Sequence, residues 1–446
     1  MGTLFGTILS FLVVFGVLVF IHEFGHFFTA KLVGIRVETF SFGYGKRLFG
    51  IRRKETDYRV SLFPLGGYVK FLGEGEFFSE GGKVSLPPDH FLAKNRWERF
   101  LVMVMGSVMN ILLAVLIFTI INMVGVTVPA YQDEAPVIGY IDPGSPAEKA
   151  GFLLDDEILR VDKEEVRTWN DVEVAVGSKP DRMIAVEIRR GGEPLEIQFR
   201  TEKRTSYALG YAGFTGRFLT QIRSVNPGSP AEKAGLRQGD IVLSVDGRPI
   251  YHYQFVDFLE KHPNQELEFA LNRQGQTVTL RITPRLQGKV GKIGAYTEAQ
   301  SVEKKYGVIK AFVQSVRENV KNTFLIIRFI RDLILRRAPT QQLGGPLEIA
   351  RVSYMAWQMG FLALLSWIGL ISLQLGVINL FPIPVFDGGQ IFVLALEALF
   401  RRDFSPKVRQ VWMQIGFVIF IFLIVFIILN DIVKRLPNGW DSLIPW

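Results

Sequence analysis

The stretch VLVFIHEFGH at residues 17–26 ends an apolar run that begins at the amino terminus. His22 and His26 are four residues apart, and on a helix this spacing places both imidazoles on one face. Glu23 follows His22 directly, so the stretch has the HExxH pattern of a zinc site with a glutamate as general base. The alternative is a helix with buried polar residues that bind nothing. Unpartnered ionisable groups in a span cost about 2.5 kcal/mol or more each, which favours the metal site.

Four uncharged stretches are each long enough for the roughly 20 residues that cross a bilayer core. They cover residues 1–21, 100–130, 352–386 and 411–430. The first has no basic segment before it and no small-residue cleavage site, so we expect a retained helix and not a signal peptide. The pattern predicts a multi-pass α-helical membrane protein with four transmembrane helices.

The composition narrows the chemistry. The 446 residues contain no cysteine and carry a net charge of +8. Thiol chemistry and disulfides are excluded, and zinc must be bound by histidines and carboxylates. In a membrane protein, an excess of Lys and Arg indicates cytoplasmic loops, and we expect no nucleic-acid partner.

The Lys and Arg residues also predict orientation. They are concentrated in residues 31–99 and again at residues 401–409. Both loops are therefore expected in the cytoplasm, with residues 132–337 outside. The metal site then lies near the cytoplasmic face.

Residues 36–71 have the alternating, β-branched and aromatic pattern of strands, with Gly43, Gly45, Gly66 and Gly67 as turn points. We predict a membrane-associated β-region beside the first helix. It is either an ordinary cytoplasmic hairpin or part of the functional site.

The outer region contains an internal repeat. DPGSPAEKAG at residues 142–151 returns as NPGSPAEKAG at residues 226–235, an offset of 84 residues. Each copy predicts a turn, a short helix capped by Ser145 or Ser229, and a glycine stop. The pattern resembles the PDZ domains of bacterial envelope proteases, so we expect two tandem PDZ-like α+β domains. They either bind C-terminal or extended peptides at a sheet edge or act as spacers. Asp155 stands where the second copy has Gly239, so the two grooves are expected to differ.

Residues 303–337 mix basic and large apolar side chains. This predicts an amphipathic helix at the outer membrane surface. The alternative is a helix packed on the second PDZ-like domain.

A catalytic zinc takes three protein ligands and keeps one position open. Asp387, in NLFPIPVFDGG at residues 379–389, is the candidate third ligand. The prolines interrupt the span, which is tolerated where protein or a wet cavity covers the backbone. Asp387 could also cap the following helix, and the two roles are compatible. Glu397 and Asp431 are the other candidates.

Asn379 is polar within an apolar run, so it contacts either the substrate backbone or a neighbouring helix. We predict that it binds substrate, together with Gly43, Pro382 and Pro384.

Together, these motifs resemble the site-2 protease family of intramembrane zinc metalloproteases over essentially the whole chain. The resemblance implies zinc on His22, His26 and Asp387, with Glu23 as general base. It also implies that the β-region re-enters the membrane and clamps the substrate. Phe386 stands where the family has Leu, a change that leaves ligation intact and reshapes the adjoining pocket.

The predicted organisation follows the chain: transmembrane helix 1 (1–35), β-region (36–72), cytoplasmic loop (73–99), transmembrane helix 2 (100–126), PDZ-like domain 1 (127–215), PDZ-like domain 2 (216–302), amphipathic segment (303–350), transmembrane helix 3 (352–398) and transmembrane helix 4 (410–431).

The resemblance predicts a zinc endopeptidase that cuts peptide bonds inside the transmembrane segments of single-pass proteins. Its partners would be the lipid bilayer and substrates such as anti-sigma factors or remnant signal peptides. The resemblance also implies a bacterial inner membrane, with the PDZ-like domains in the periplasm. The alternative is a non-catalytic, membrane-anchored PDZ adaptor, which explains the repeat but not the histidine pair. A metal transporter would need more ionisable residues along its spans.

Overall fold

The computed structural model describes residues 2–73, 86–204, 208–288 and 290–434. Residues 74–85 of the predicted cytoplasmic loop therefore lie outside the described residues. The helices are α1 Gly2–Leu32, α2 Arg96–Val124, α3 Pro146–Ala150, α4 Trp169–Gly177, α5 Pro230–Lys233, α6 His252–Lys261, α7 Val308–Ile334, α8 Pro346–Met359, α9 Phe361–Asn379, α10 Asp387–Leu399 and α11 Pro406–Val433.

The strands are short except for the first two. They are β1 Val37–Arg53, β2 Thr56–Phe71, β3 Val126–Pro129, β4 Tyr140–Ile141, β5 Glu157–Val161, β6 Glu164–Glu165, β7 Met183–Arg190, β8 Glu193–Arg200, β9 Glu202–Arg204, β10 Leu209–Tyr211, β11 Phe214–Thr215, β12 Thr220–Val225, β13 Ile241–Val245, β14 Arg248–Pro249, β15 Leu267–Arg273, β16 Gln276–Ile282, β17 Arg285–Gln287, β18 Val290–Lys292, β19 Ala295–Ala299 and β20 Ser301–Lys304.

The chain forms two compact units. The first contains residues 1–124, 305–335 and 343–446, and the second contains residues 125–304 and 336–342. Within the described part of the chain, four helices are long and apolar enough to cross a membrane. They are Leu4–Leu32, Arg96–Val124, Phe361–Asn379 and Lys407–Val433.

Close helix packing at glycines builds the core of the first unit. A Cβ atom on Gly25 of α1 would lie 2.5 Å from the Met105 carbonyl oxygen of α2. A Cβ on Gly376 of α9 would lie 2.9 Å from the Ser107 carbonyl oxygen of α2. Small residues let membrane helices approach this closely. Helices α1 and α9 therefore both contact α2 backbone to backbone.

The third predicted span is divided in the structure. Helix α8 ends at Gly360, whose φ of 109° is unfavourable for residues with a side chain, and α9 begins directly after it. Residues 380–386 are irregular, and α10 then starts at Asp387. The span is therefore limited to the 19 residues of α9 and does not cover residues 352–398.

Helix α7 lies along α2, a position that neither sequence interpretation anticipated. Its buried residues Ala311, Ser315 and Asn319 are four apart and form one stripe. Ser315 Oγ donates a hydrogen bond to the Val115 carbonyl of α2 at 2.8 Å. This stripe packs α7 against α2, whereas apolar residues of α7 such as Phe324 are exposed.

The long hairpin of β1 and β2 folds back on itself. Thr39 pairs with both Lys70 and Asp57, and each residue from Thr39 to Phe42 has two such partners. Residues 67–70 and residues 57–60 therefore flank the same segment of β1. Residues 47–53 pair only with the start of β2, and all of them are exposed, including the apolar residues Leu48, Phe49 and Ile51.

The second unit contains both repeat copies, each with its own hydrophobic core. The first copy has a four-stranded sheet in the order β6-β5-β7-β8, and the second has the order β16-β15-β13-β12-β19 with β14 beside β13. Ser145 Oγ accepts a hydrogen bond from the Glu148 N–H, and Ser229 Oγ accepts one from the Glu232 N–H. The local structure predicted for the repeated decapeptide is therefore present in both copies.

An equivalent ion pair stabilises each copy. Arg190 donates to the Asp156 carboxylate and to the Gly151 carbonyl, and Arg273 does the same to Asp240 and Gly235. Burial of Asp240 favours its protonated form, but the hydrogen bonds from Arg273 and the backbone outweigh burial and hold its pKa below the ordinary value. This pair therefore contributes stability above the ordinary carboxyl pKa of about 3.9, which is lost as acid protonates Asp240.

The two copies have the same backbone conformation at the position where Asp155 replaces Gly239. Gly239 has a φ of 89°, and Asp155 occupies the same left-handed region with a φ of 73°. Asp can adopt this conformation because its short side chain bonds locally. The Asp155 carboxylate also pairs with Arg217.

Candidate metal centre

Three side chains from two distant parts of the sequence converge in the first unit. They are His22 and His26 on α1 and Asp387 at the start of α10. His22 Nε2 lies 3.2 Å from Asp387 Oδ2, and His26 Nε2 lies 3.4 Å from the same oxygen. The two Nε2 atoms are 3.3 Å apart. A tetrahedral zinc with bonds of about 2.0–2.1 Å requires ligand atoms about 3.3 Å from one another. The three atoms therefore have the spacing and the chemistry of a zinc ligand set.

Gly106 of α2 leaves the space that such an ion needs. A Cβ atom on Gly106 would lie 2.3 Å from His26 Nε2 and 2.9 Å from His22 Cε1. Any side chain there would collide with both imidazole rings. The backbone of α2 is thus one wall of the centre.

Each histidine has a second contact on α2. His26 Nδ1 lies 2.7 Å from the Val102 carbonyl oxygen, and His22 Nδ1 lies 3.3 Å from Asn110 Nδ2. Such outer contacts fix the ring orientation and the tautomer of a metal-bound histidine. The first of these contacts is a backbone acceptor, so it fixes Nδ1–H on His26.

Glu23 faces the end of the β-hairpin. Its carboxylate accepts a hydrogen bond from the Val69 backbone. A Cβ on Gly67 would lie 3.0 Å from Glu23 Cγ, so only a residue without a side chain fits there. The last segment of β2 therefore lies directly beside the predicted general base.

Asp387 is the first residue of α10, and Phe386 is the N-cap residue, with no side-chain capping bond. The irregular segment before it folds tightly onto two glycines. Cβ atoms on Gly388 and Gly389 would lie 2.3 Å from the Leu380 carbonyl oxygen and 2.2 Å from the Ile383 carbonyl oxygen. These glycines let the loop turn sharply enough to direct Asp387 towards the histidines.

The four predicted substrate-binding residues are placed differently. Asn379 Nδ2 lies 3.5 Å from His22 Nε2, at the centre itself. Gly43 lies in β1 between two residues that pair with β2, and a Cβ there would be 2.8 Å from the Phe63 carbonyl oxygen. Pro382 is exposed, whereas Pro384 is buried and a Cβ on Gly416 of α11 would meet it at 2.1 Å. Of the four, the structure brings Asn379 to the histidines.

The other two candidate ligands have different partners. Glu397 accepts hydrogen bonds from the Arg409 guanidinium and the Phe404 N–H. Asp431 accepts hydrogen bonds from the backbone N–H groups of Gly345 and Glu348 at the start of α8. Both carboxylates therefore connect helices.

Comparison with known proteins gives the family. The model of peptidase family M50 matches residues 10–423. The chain belongs to peptidase family M50. The regulator of sigma E protease of Salmonella typhi is 32% identical, and the alignment covers 95% of this chain and 97% of that protein. A Vibrio cholerae protein named as a zinc metalloprotease is 30% identical, with 96% and 98% covered.

A PDZ domain of an SdrC-like protein from Listeria monocytogenes matches 19% of this M50 chain and 90% of its own, at 18% identity. Its TM-score of 0.17 carries no argument about the fold.

Membership in M50 and the names of the relatives confirm the predicted zinc metalloendopeptidase and its zinc cofactor. The non-catalytic adaptor is not favoured. The four apolar helices fit an inner-membrane protein.

Two residues of this M50 chain's centre were missed from the sequence, Gly106 and Asn110. Both lie in the second apolar stretch, and they are four residues apart on α2. The sequence signal for Asn110 was a polar amide within an apolar span, which is the same signal that identified Asn379. Gly106, four residues before Asn110, was a second signal, because small residues mark the places where membrane helices pack closely.

Proposed function

We propose that this chain hydrolyses peptide bonds within the membrane-spanning segments of single-pass membrane proteins, with His22, His26 and Asp387 as zinc ligands. The observation that carries the proposal is the 3.2–3.4 Å spacing of the three ligand atoms, two of which are on α1, a helix long enough to span a membrane. Glu23 adjoins this cluster, so a base and a ligand set lie side by side within the span.

The chain's own residues have distinct tasks in the reaction. Zinc, when bound, supplies a water of lowered pKa and polarises the scissile carbonyl. Glu23 takes the proton from the attacking water and returns it to the leaving amine nitrogen. The Asn379 amide, at the edge of the ligand set, donates a hydrogen bond to the substrate backbone. Gly43, Pro382 and Pro384 stay predicted substrate-binding residues.

A transmembrane substrate must first become extended, because a helix uses its own carbonyls in hydrogen bonds. The segment of residues 66–71 pairs with β1 on one side and lies against Glu23. We propose that the substrate adds to this segment as a strand, which presents its backbone to Glu23. The exposed Phe49 and Ile51 would keep the far end of the hairpin in lipid.

Disulfide trapping tests the strand proposal, since the chain has no cysteine of its own. With Glu23→Gln to hold the substrate, Tyr68→Cys is expected to cross-link to a cysteine in the substrate span. Ile51→Cys, in the segment that pairs with the start of β2, is the matched control and is expected to give little product. Equal cross-linking from both positions would rule out strand addition at residues 66–71.

The relatives named as regulators of sigma E suggest anti-sigma factors as one substrate class, and remnant signal peptides are a second. We also propose that the centre lies near the cytoplasmic face and that the two repeat copies are periplasmic PDZ-like domains, which bind peptides or exclude untrimmed substrates. A membrane-impermeant thiol reagent should label Gln198→Cys in intact spheroplasts and Arg402→Cys, in the other predicted cytoplasmic loop, only after lysis. The reverse result would invert the orientation.

The hydrolysis itself is tested with purified protein in detergent and a single-pass substrate. We expect cleavage within the span, its loss on treatment with 1,10-phenanthroline, and its recovery on addition of Zn²⁺. The product termini are located by mass spectrometry. Cleavage that survives the chelator, or that occurs only outside the span, would contradict the proposal.

A further inference from the structure

Asn110 is a fully buried amide on α2 that the mechanism above does not use. Its Nδ2 lies 3.3 Å from His22 Nδ1. Its Oδ1 is buried and has no hydrogen-bond partner among the described residues. A buried carbonyl oxygen without a donor costs about 1–3 kcal/mol. The environment therefore leaves one end of this amide unsatisfied while the other end touches a predicted zinc ligand.

The nitrogen through which His22 binds the metal determines whether the Asn110 side chain must donate or accept a hydrogen bond. If Nε2 of His22 binds the ion, Nδ1 carries the hydrogen and is a donor. The amide nitrogen of Asn110 is also a donor, so it cannot serve Nδ1–H. A half-turn of the amide about χ2 exchanges its nitrogen and oxygen and gives Nδ1–H an acceptor about 3.3 Å away.

We propose that Asn110 is a positioning residue for zinc: its side-chain oxygen accepts the Nδ1–H hydrogen bond of His22 and fixes that ring for ligation through Nε2. The proposal rests on the proposed ligand set. His22 would then have an acceptor for its Nδ1–H, as His26 has in the Val102 carbonyl oxygen, which lies 2.7 Å from His26 Nδ1. The two ligand histidines would then both be oriented by α2, one through the backbone and one through a side chain.

The location of Asn110 supports a fixed role. Its own backbone carbonyl accepts a hydrogen bond from Ser372 Oγ of α9 at 2.8 Å, and a Cβ on Gly376 would lie 3.3 Å from Asn110 Cβ. The side chain is thus confined between α1 and α9. Loss of such an outer partner typically costs about 10–100-fold in metal affinity or activity.

The test compares zinc affinity, measured by competition with a chelator, across substitutions of one residue. Asn110→Leu removes the acceptor at similar volume and is expected to weaken zinc binding about 10–100-fold. Asn110→Asp keeps an oxygen acceptor and is expected to restore affinity to near the wild-type value. Excess zinc should recover cleavage by Asn110→Leu, and the Co²⁺ spectrum of this variant should differ from that of wild type.

Asn122→Leu is the matched control. Asn122 is a buried amide on the same helix, about 18 Å further along. If Asn110 serves only helix packing, both Leu variants lower thermal stability alike and neither changes zinc affinity, which would overturn the proposal. His22→Asn separates this failure from a failure of the ligand set. If that variant also keeps full zinc affinity, His22 is not a ligand at all.

Discussion

Glu23→Gln is expected to lower cleavage of a transmembrane substrate by roughly 10²–10⁴-fold, with zinc still bound at one ion per chain. Glutamine has the shape of glutamate but cannot take a proton from the attacking water. The variant keeps His22 and His26, so the ligand set is unchanged. Single-turnover cleavage in detergent and metal analysis of the same sample measure both quantities.

The matched control for Glu23→Gln is Glu55→Gln. Glu55 lies in the turn between β1 and β2 and pairs with Lys31. It belongs neither to the three ligand residues nor to the segment of residues 66–71, so cleavage by this variant should equal that of wild type. Wild-type cleavage by Glu23→Gln would remove Glu23 from the mechanism, whereas equal loss in both variants would indicate a fold defect.

Asp387→Asn is expected to abolish stoichiometric zinc binding together with cleavage. The substitution replaces an anionic ligand oxygen with a neutral amide, a poor zinc ligand, and leaves two protein ligands where catalytic sites have three. We expect an affinity loss larger than the roughly 10–100-fold that follows from loss of an outer partner. Metal analysis after gel filtration, and the Co²⁺ spectrum, measure the change.

Asp431→Asn is the matched control for Asp387→Asn. It makes the same chemical change at a carboxylate whose hydrogen bonds join α11 to α8. Asp431 is 2% exposed and bonds the start of α8, so its loss should lower thermal stability without releasing zinc. Zinc retention by Asp387→Asn, or zinc loss from Asp431→Asn, would exchange the two assignments.

The helical positions of the centre were predictable because they follow from local geometry. The spacing of His22 and His26 is four residues, which fixes their common face on any helix. Asp387 could be predicted because it follows the prolines that interrupt an apolar run and precedes two glycines. The structure brings all three together at the spacing that zinc requires.

The remaining features depend on contacts between segments that are distant in sequence. The twofold pairing of Thr39 follows from how the hairpin folds back, which alternation of residues does not encode. Helix α7 combines exposed apolar residues with a buried polar stripe, so its hydrophobic pattern pointed to a surface helix. The break at Gly360 was hidden because residues 352–359 carry no charge, so the uncharged stretch continues across it.

Residue 106 must be glycine because any side chain there would be too large for the available space. A methyl group there would occupy the room between the imidazoles, although glycine contributes no proton, charge or ligand to the reaction. In a saturation screen for function, Gly106 should therefore tolerate as few replacements as the histidines themselves. Intolerance at a position is thus no guide to whether its residue takes part in the chemistry.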